Sequence, residues 1–304
     1  MEQPSAILKR VAAIHDISGV GKCSLSVISP ILSAAGIECS LLPTAVLSTH
    51  PGGFTGNTYR DLSEDILPIA RHWKKEDISF DALYSGFLGS AQQTTYVSKI
   101  FQLLSNKSTV RIVDPVMADH GKMYSFFSHD KSKMIQAMRK LCSQAHILTP
   151  NITEAAFLLD VPFHEGPYTE TYIRRLISGL CQLGAKNIVL TGVYTQDDRM
   201  GAACYDDETK QLEFCLTKRI PGFYHGTGDI FAAVLVAGYL RGCTLIESVQ
   251  LAVQFTSDAI SRTISSQIPF QSRMGINFEY SLPWLCQKLN PGRDWLPDID
   301  NYTK

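Results

Sequence analysis

Short apolar runs alternate with segments of helical periodicity along most of the chain. Apolar runs bounded by polar or glycine-containing turns are typical of buried strands, and apolar residues spaced three and four apart are typical of helices. The pattern predicts strands at 10–14, 41–47, 81–87, 110–114, 146–149 and 187–191, and two antiparallel strands at 200–206 and 211–220. It also predicts one helix that ends at Ala35 and further helices at 61–75, 89–104, 131–142, 170–183 and 245–264. This alternation predicts an α/β fold with a single doubly wound, mostly parallel sheet flanked by helices. We expect one domain over 1–304, with an irregular C-terminal tail at 265–304 packed on it.

One stretch differs from the amphipathic helices because its apolar part has no polar face. Gly226-Thr227-Gly228-Asp229 leads into 230–240, which carries no charge. This order predicts a tight turn that opens a buried helix. The first amides of a helix lack partners within it and its dipole makes that end positive, so the turn is suited to an anion. Asp229 would then be a general base for an attacking hydroxyl, and the alternative is an Asp that caps the helix.

A second glycine-containing segment, 18–24, follows the first predicted strand and has the order of a P-loop. It fails that pattern twice, because Asp16 stands at the first glycine position and Cys23 stands where Ser or Thr must follow Lys22. The dinucleotide fingerprint fails too, since Ser24 occupies its third glycine position. Two alternatives remain for Lys22, a binding residue or a solvated loop charge.

Polar loops follow the predicted strands, and each admits a plain structural alternative. The 48–58 loop, rich in Gly and polar groups, is typical either of a binding loop or of a flexible turn. Asp114 and Asp119 suit a cation or phosphate-bound magnesium, or else a turn held by local hydrogen bonds. Asn151 and Glu154 have the spacing of a capping box, which taken alone predicts helix capping. Ligands of such sheets bind in the crevice at the carboxyl ends of the strands.

The composition is that of an ordinary globular protein. A net charge of −1 over 304 residues gives no basic surface for nucleic acid. No apolar run is long enough to cross a membrane, and the first ten residues lack the apolar core of a signal peptide. The eight cysteines form no C-x-x-C pair, so we expect reduced thiols in a cytoplasmic protein.

The motifs, in their order along the chain, resemble the ribokinase-like superfamily. They are Asp114-Pro115-Val116-Met117-Ala118-Asp119, Thr149-Pro150-Asn151-Ile152-Thr153-Glu154, Thr191 and Gly226-Thr227-Gly228-Asp229. The opening Ala13-Ile14-His15-Asp16 and the segments 46–53 and 85–90 are similar to the pyridoxal/pyridoxamine kinase branch. The resemblance covers about 10–264, nearly the whole chain.

The resemblance implies ATP-dependent phosphorylation of the 5′-hydroxymethyl group of a B6 vitamer, namely pyridoxal, pyridoxamine or pyridoxine. Asp229 would be the base, and the amides of Gly226, Thr227 and Gly228 would form the anion hole. The residues that would bind ATP are Asp114, Thr149, Asn151, Glu154 and Thr191. Magnesium would be held by Asp114, Asp119 and Glu154. The residues that would contact the vitamer are Asp16, His50, Pro51, Phe87 and Asp229. The family also implies a monovalent cation such as K⁺ or Na⁺, and a homodimer.

Three departures from the resembling branch bear on substrate choice. Asp16 stands where many pyridoxal kinases carry serine, Pro51 where they carry Thr or Gln, and Ala118 precedes Asp119 where they have glycine. We expect Asp16 to face the pyridine ring and tune the vitamer preference, the alternative being a brace for the 18–24 loop. Other functions left open are a hydroxymethylpyrimidine kinase, which often has Cys at the position of Asp229, a sugar kinase, or a silent vitamer- or nucleotide-binding protein.

Overall fold

The computed structural model of the protein describes residues 8–127, 130–266 and 271–290. Its strands are β1 Lys9–Val20, β2 Ile37–Thr49, β3 Tyr59–Asp61, β4 Ala82–Ser85, β5 Val110–Val113, β6 Ala118–Asp119, β7 Lys122–Met123, β8 Ile147–Leu148, β9 Asn187–Tyr194, β10 Arg199–Asp206 and β11 Gln211–Lys218. Its α-helices are α1 Leu25–Ala34, α2 Ser63–Lys75, α3 Ala91–Leu104, α4 Lys131–Cys142, α5 Ile152–Leu159, α6 Glu170–Gln182, α7 Thr227–Leu240, α8 Leu245–Ser265 and α9 Leu282–Leu289. Among these helices, none is long and apolar enough to span a membrane.

Nine strands form one sheet in the order β11-β10-β9-β8-β5-β4-β1-β2-β3. The six from β9 to β2 run parallel, while β3, β10 and β11 add antiparallel edges. The chain reverses its direction of progress across the sheet between β1 and β4, so a crevice is expected at the carboxyl ends of these strands. The predicted doubly wound, mostly parallel α/β fold is confirmed.

Helices cover both faces of the sheet, and successive residues of the strands alternate between the two cores. In β1, Val11 and Ala13 pack with α1, α7, α8 and α9, whereas Ala12 and Ile14 pack with α2 to α6. Helix α7 is apolar all round because it lies inside the first core, with 230–238 buried throughout. Its N-terminus is therefore held firmly in the middle of the molecule.

Several elements differ from the prediction. Strand β1 does not end at Ile14 but continues after a bulge between His15 and Ile17 to pair with β2, so the first three residues of the expected 18–24 glycine loop are strand. The sequence hides this extension because its buried residues include polar ones. The short strand β3 and the β6–β7 hairpin were not predicted, since two or three residues leave no periodic signal.

The tail also differs from the expected irregular segment. Within the described part, 271–290, two 3-10 turns at Ser272–Met274 and Phe278–Ser281 lead into α9. Pro283 lies in the first turn of α9, where a missing amide hydrogen costs nothing, so the proline does not break the helix. The single domain over 1–304 stays a prediction, because 1–7 and 291–304 lie outside the described residues.

Candidate active site

The N-terminus of α7 opens on a left-handed glycine. Gly226 is the N-cap with φ 79°, and its carbonyl accepts the first helical hydrogen bond, from the Ile230 N–H at 3.0 Å. A Cβ at Gly226 would collide with the Lys22 carbonyl oxygen, whereas a Cβ at Gly228 would meet open space. The glycines therefore bring β1, its following turn and α7 together while keeping the helix end approachable.

Asp229 does not cap its own helix. It is the third residue of α7, and the structure gives the N-cap position no side-chain hydrogen bond. Its Oδ2 accepts a hydrogen bond from the Ser24 N–H at 2.9 Å, and its Oδ1 lies 3.2 Å from His15 Nε2. The left-handed backbone of Ser24, with φ 63°, accompanies this contact. The capping alternative is wrong, and the Asp229 carboxylate is 13% exposed beside the N-terminus of α7.

Asp16 is buried and its two carboxylate oxygens are engaged by neighbouring groups. Oδ1 accepts from the Ser24 hydroxyl at 2.6 Å and lies 2.8 Å from His15 Nδ1, while Oδ2 accepts from the Ser18 hydroxyl at 3.0 Å. Burial alone would raise the pKa of Asp16, but the hydrogen bonds and charge of His15 and the two hydroxyls lower it. Asp16 thus braces the β1–α1 turn through side-chain hydroxyls, and direct contact with a pyridine ring stays a prediction.

His15 joins the two carboxylates, and it was not among the predicted site residues. Burial would lower its pKa, but hydrogen bonds and charges from Asp16 and Asp229 outweigh this and raise the pKa to about 10. A His-Asp pair at the end of a predicted strand was the available signal. The role of His15 depends on its contact with Asp229, which lies more than 200 residues further along the chain. Sequence spacing alone does not show that these two residues are neighbours.

Asp114 and Glu154 form a second, uncompensated acidic group. Burial and the nearby Asp229 charge raise the pKa of Asp114 to about 8, although His15 and a hydrogen bond from Thr149 act in the opposite direction. Burial and the Asp114 charge raise the pKa of Glu154 far above its usual range. Neither carboxyl group has an ion pair with a cationic side chain in the part of the chain that the structure describes.

Glu154 has a structural role that the spacing predicted. Asn151 and Glu154 form a capping box at the start of α5, with the Asn151 N–H donating to Oε2 at 2.9 Å. Glu154 also reaches beyond its helix, since Oε1 accepts from the Met117 N–H at 3.0 Å. The Asn151 side chain donates to the Ala118 carbonyl at 2.8 Å. The start of α5 therefore fixes the loop that follows β5.

The remaining residues predicted on the nucleotide side lie around this loop. Thr149 is buried directly after β8, and Thr191 in β9 forms a backbone bridge with Asn151. Asp119 is more exposed, and its Oδ1 accepts a hydrogen bond from the His120 N–H at 2.8 Å. The structure brings Asp114 and Glu154 together electrostatically, while Asp119 lies at the periphery of this acidic pair.

These residues fit magnesium bound mainly through phosphate and water. No group of three or more His, Cys, Asp or Glu side chains within 8–127, 130–266 and 271–290 is arranged to hold a metal by itself. Both Glu154 oxygens already accept amide hydrogens. Magnesium in nucleotide sites usually keeps several waters and takes one or two carboxylates, and the uncompensated Asp114–Glu154 pair offers that donor set.

His50 and its loop follow β2, which β1 and β4 separate in the sheet from β5, the strand that precedes Asp114. The Nδ1 of His50 accepts from the Gly52 N–H at 3.0 Å and its Nε2 donates to the Arg273 carbonyl at 2.7 Å, so the ring polar atoms are engaged. The adjacent Pro51 is exposed. Phe87, after β4, is half-buried beside the rings of Phe126 and Phe127. His50 itself is 5% exposed, so contact of these residues with a substrate ring stays a prediction.

An aromatic row links the separate loops around the crevice. Ring centroids lie 4.6–5.6 Å apart along the row His120, Phe223, His225, His50 and Phe54. The row joins the loop after β5, the segment before α7 and the loop after β2. Pattern analysis missed it because its members are far apart in the sequence.

Lys22 is neither a P-loop lysine nor a free surface charge. Its Nζ donates to Asn277 Oδ1 at 2.7 Å and to Glu279 Oε2 at 2.9 Å. The described tail segment thus holds both the β1–α1 turn, through Lys22, and the loop after β2, through the Arg273 carbonyl and His50.

Comparison with known proteins places this geometry in a family. A family model described as phosphomethylpyrimidine kinase matches residues 34–271. The chain belongs to this family. Its members include the pyridoxal kinase relatives that the motifs indicated, so the predicted resemblance is confirmed, and the protein is a kinase of the pyridoxal/phosphomethylpyrimidine kinase family.

Three relatives match this family member over most of their length. A pyridoxine/pyridoxal/pyridoxamine kinase of Bordetella avium is 28% identical over 275 residues, covering 84% of this chain and 86% of its own. The crystal structure of a pyridoxal kinase from Lactobacillus plantarum is 31% identical with a TM-score of 0.83, covering 94% of this chain and 98% of its own. A candidate phosphomethylpyrimidine kinase from Bacteroides thetaiotaomicron, crystallised with pyridoxal, is 32% identical with a TM-score of 0.85, covering 91% and 96%.

Proposed function

We propose that the protein phosphorylates the 5′-hydroxymethyl group of a B6 vitamer with ATP. The observation that carries this proposal is the Asp229 carboxylate at the N-terminus of α7, held by Ser24 and beside His15. The relatives from L. plantarum and B. avium, named as B6 vitamer kinases, and the pyridoxal-bound relative from B. thetaiotaomicron support the substrate class.

In this proposal the chain contributes positioning and charge rather than a covalent step. Asp229 takes the proton from the hydroxyl as its oxygen forms the new bond to the γ-phosphorus of ATP. The bond from that phosphorus to the bridging oxygen breaks, and ADP leaves with the electron pair. The amides of Gly226, Thr227 and Gly228 stabilise the charge on the transferring group, because the first amides of a helix lack internal partners.

On the nucleotide side, Asp114 and Glu154 would hold magnesium, directly or through water, and the metal would neutralise phosphate charge. Thr149, Asn151 and Thr191 would contact ATP, and Asp119 would act from the periphery of the metal site. Asp16 would tune the vitamer choice through the turn that it braces, while His50, Pro51 and Phe87 would surround the pyridine ring. A K⁺ or Na⁺ ion, a homodimer and a cytoplasmic location complete the proposal.

Hydroxymethylpyrimidine is the second candidate substrate, because the matching family model is named for phosphomethylpyrimidine. It also presents a hydroxymethyl group on a flat nitrogen ring. Asp229 favours the vitamers, since the resembling hydroxymethylpyrimidine kinases often have Cys at this position.

One ATP-coupled assay with pyridoxal, pyridoxamine, pyridoxine and hydroxymethylpyrimidine tests the substrate. We expect kcat/KM to be highest for a vitamer, and a preference for hydroxymethylpyrimidine would overturn the proposal. The base is tested by Asp229→Asn, which should lower kcat by at least ~100-fold while ATP still binds, the usual scale for a positioned base. A near-normal kcat would remove Asp229 from that role.

A further inference from the structure

His15 occupies a buried position between two carboxylates on different elements. Its side chain is 2% exposed, with Nδ1 2.8 Å from Asp16 Oδ1 and Nε2 3.2 Å from Asp229 Oδ1. The ring also fills the space beside Gly86, where a Cβ would collide with it. Strand β1, the residues after β4 and the start of α7 therefore fix the imidazole in one place.

Each ring nitrogen of His15 faces one carboxylate oxygen and one backbone N–H, and the two carboxylate charges favour a ring that carries protons on both nitrogens. The backbone N–H groups of Asp16 and Phe87 also lie 3.0 Å from Nδ1 and Nε2 respectively, and each would suit a nitrogen with a lone pair. A neutral ring, however, leaves one of the two carboxylates facing a lone pair whichever tautomer it adopts. An imidazolium donates to both carboxylates, and their charges raise the pKa of His15 to about 10 despite its burial.

The groups facing His15 are otherwise acidic or uncharged. Asp16 and Asp229 contact the ring, and the Asp114 charge acts on the same region from the end of β5. The Cys23 thiol is held neutral, because burial and the Asp229 and Asp16 charges raise its pKa well above the usual range. Lys22 directs its ammonium group to Asn277 and Glu279 instead. Within the described residues, His15 is therefore the cation that compensates this cluster.

We propose that His15 is a positioning residue that acts through Asp229, serving as a cationic partner that orients this carboxylate and compensates its negative charge. The inference rests on the proposed role of Asp229. Together with the Ser24 N–H on Oδ2, His15 on Oδ1 fixes the plane of the carboxylate. When Asp229 takes the hydroxyl proton, His15 keeps both of its own, so the His15–Asp16–Asp229 trio changes from one net negative charge to none.

The test compares the pH dependence of kcat/KM in His15→Gln and the wild-type protein with the same vitamer, so that substrate titration cancels. Gln retains a hydrogen-bond donor but loses the charge. We expect the acid limb of the profile to move to higher pH by roughly one to three units, the range that a close opposite charge produces, with activity recovering on the alkaline side. The control His72→Gln alters an exposed histidine on α2 and should leave the profile unchanged.

An equal loss of kcat/KM at every pH, with a lower melting temperature, would mean that His15 only packs the core and would overturn the proposal.

A second measurement does not depend on the variant folding. In wild-type protein with isotope-labelled histidine, NMR should show the His15 ring as an imidazolium at pH 8, and a neutral ring at this pH would refute the proposal. In Asp229→Asn the ring should lose its proton at lower pH. A normal kcat in Asp229→Asn would instead refute the base assignment, independently of the NMR result.

Discussion

Replacing Asp114 with asparagine should change how stability depends on pH when no magnesium is present. Burial and the nearby Asp229 charge raise the pKa of Asp114 from 3.8 to about 8. Between pH 3.8 and about pH 8 the folded protein keeps a proton on Asp114 that the unfolded chain has released. Stability from this group is therefore fully present below pH 3.8 and is lost as the pH rises towards 8.

The size of the effect follows from proton linkage. One group that is protonated only in the folded state lowers the free energy of unfolding by about 1.4 kcal/mol per pH unit. Between pH 5.5 and 7.5 Asp114 should therefore remove at most ~2–3 kcal/mol. For a chain of 304 residues each kcal/mol corresponds to roughly 1.5–2 °C in Tm, so the expected change is about 3–5 °C. The asparagine side chain of the variant cannot ionise, and this part of the decline should disappear.

The assay is thermal unfolding in EDTA from pH 5.5 to 7.5, followed by the same series with Mg²⁺ and ADP. Asp114→Asn should resemble the wild-type protein at pH 5.5 and melt higher at pH 7.5. In the wild-type protein, the stabilisation by Mg²⁺ and ADP should increase with pH, because the ionised carboxylate repels its neighbours less once a cation is bound. This increase should be smaller in Asp114→Asn.

The control is Asp65→Asn, which makes the same chemical change at an exposed position in the first turn of α2 and should leave the pH dependence unaltered. Parallel pH–Tm curves for the wild-type protein and Asp114→Asn in EDTA would refute the argument. That result would mean that Asp114 is ionised and solvated throughout this range.

Two further predictions concern the loops that hold the site. Glu154→Gln places an NH₂ group against the backbone N–H of Asn151 or Met117, so we expect a loss of about 1–3 kcal/mol in stability. We also expect the variant to need a higher magnesium concentration for activity. An unchanged magnesium titration would leave Glu154 as a helix cap only. Lys22→Met removes the two contacts to the tail segment, and we expect KM for the vitamer to rise about 2–5-fold with little change in kcat, the scale of a partly exposed ion pair. The control for the latter is Lys210→Met, and equal KM values in both variants would count against a role for the tail.

The sequence predicted the architecture because the fold depends on local periodicity. The helices were located to within a few residues, and Gly36, in the left-handed region, follows the end of α1 as expected. The capping box of Asn151 and Glu154 was predicted because it involves residues three apart. The β6–β7 hairpin and α9 were missed, since two-residue strands have no period and a proline at the start of a helix resembles a break.

The site was predicted only in part because its chemistry depends on residues far apart in the chain. Motif order indicated Asp229, Asp114 and Glu154, but it could not tell which of the acidic residues has a cationic partner. Asp16 was expected to face a substrate, and the structure instead shows its oxygens engaged by two serines and His15. These contacts are local in the chain, whereas the contact of His15 with Asp229 depends on α7 packing back against β1.

The distribution of charge divides the crevice into two functionally different sides. Near β1, His15 lies between Asp16 and Asp229, so these two carboxylates have a cationic partner within the protein itself. Near β5, Asp114 and Glu154 repel one another and have no such partner among the described residues. A cation that arrives with phosphate would relieve that repulsion, so we expect the metal–nucleotide complex to bind better than either component alone. Neutralising Asp114 should therefore weaken binding of ADP with magnesium far more than binding of ADP in EDTA, whereas neutralising His15 should affect neither.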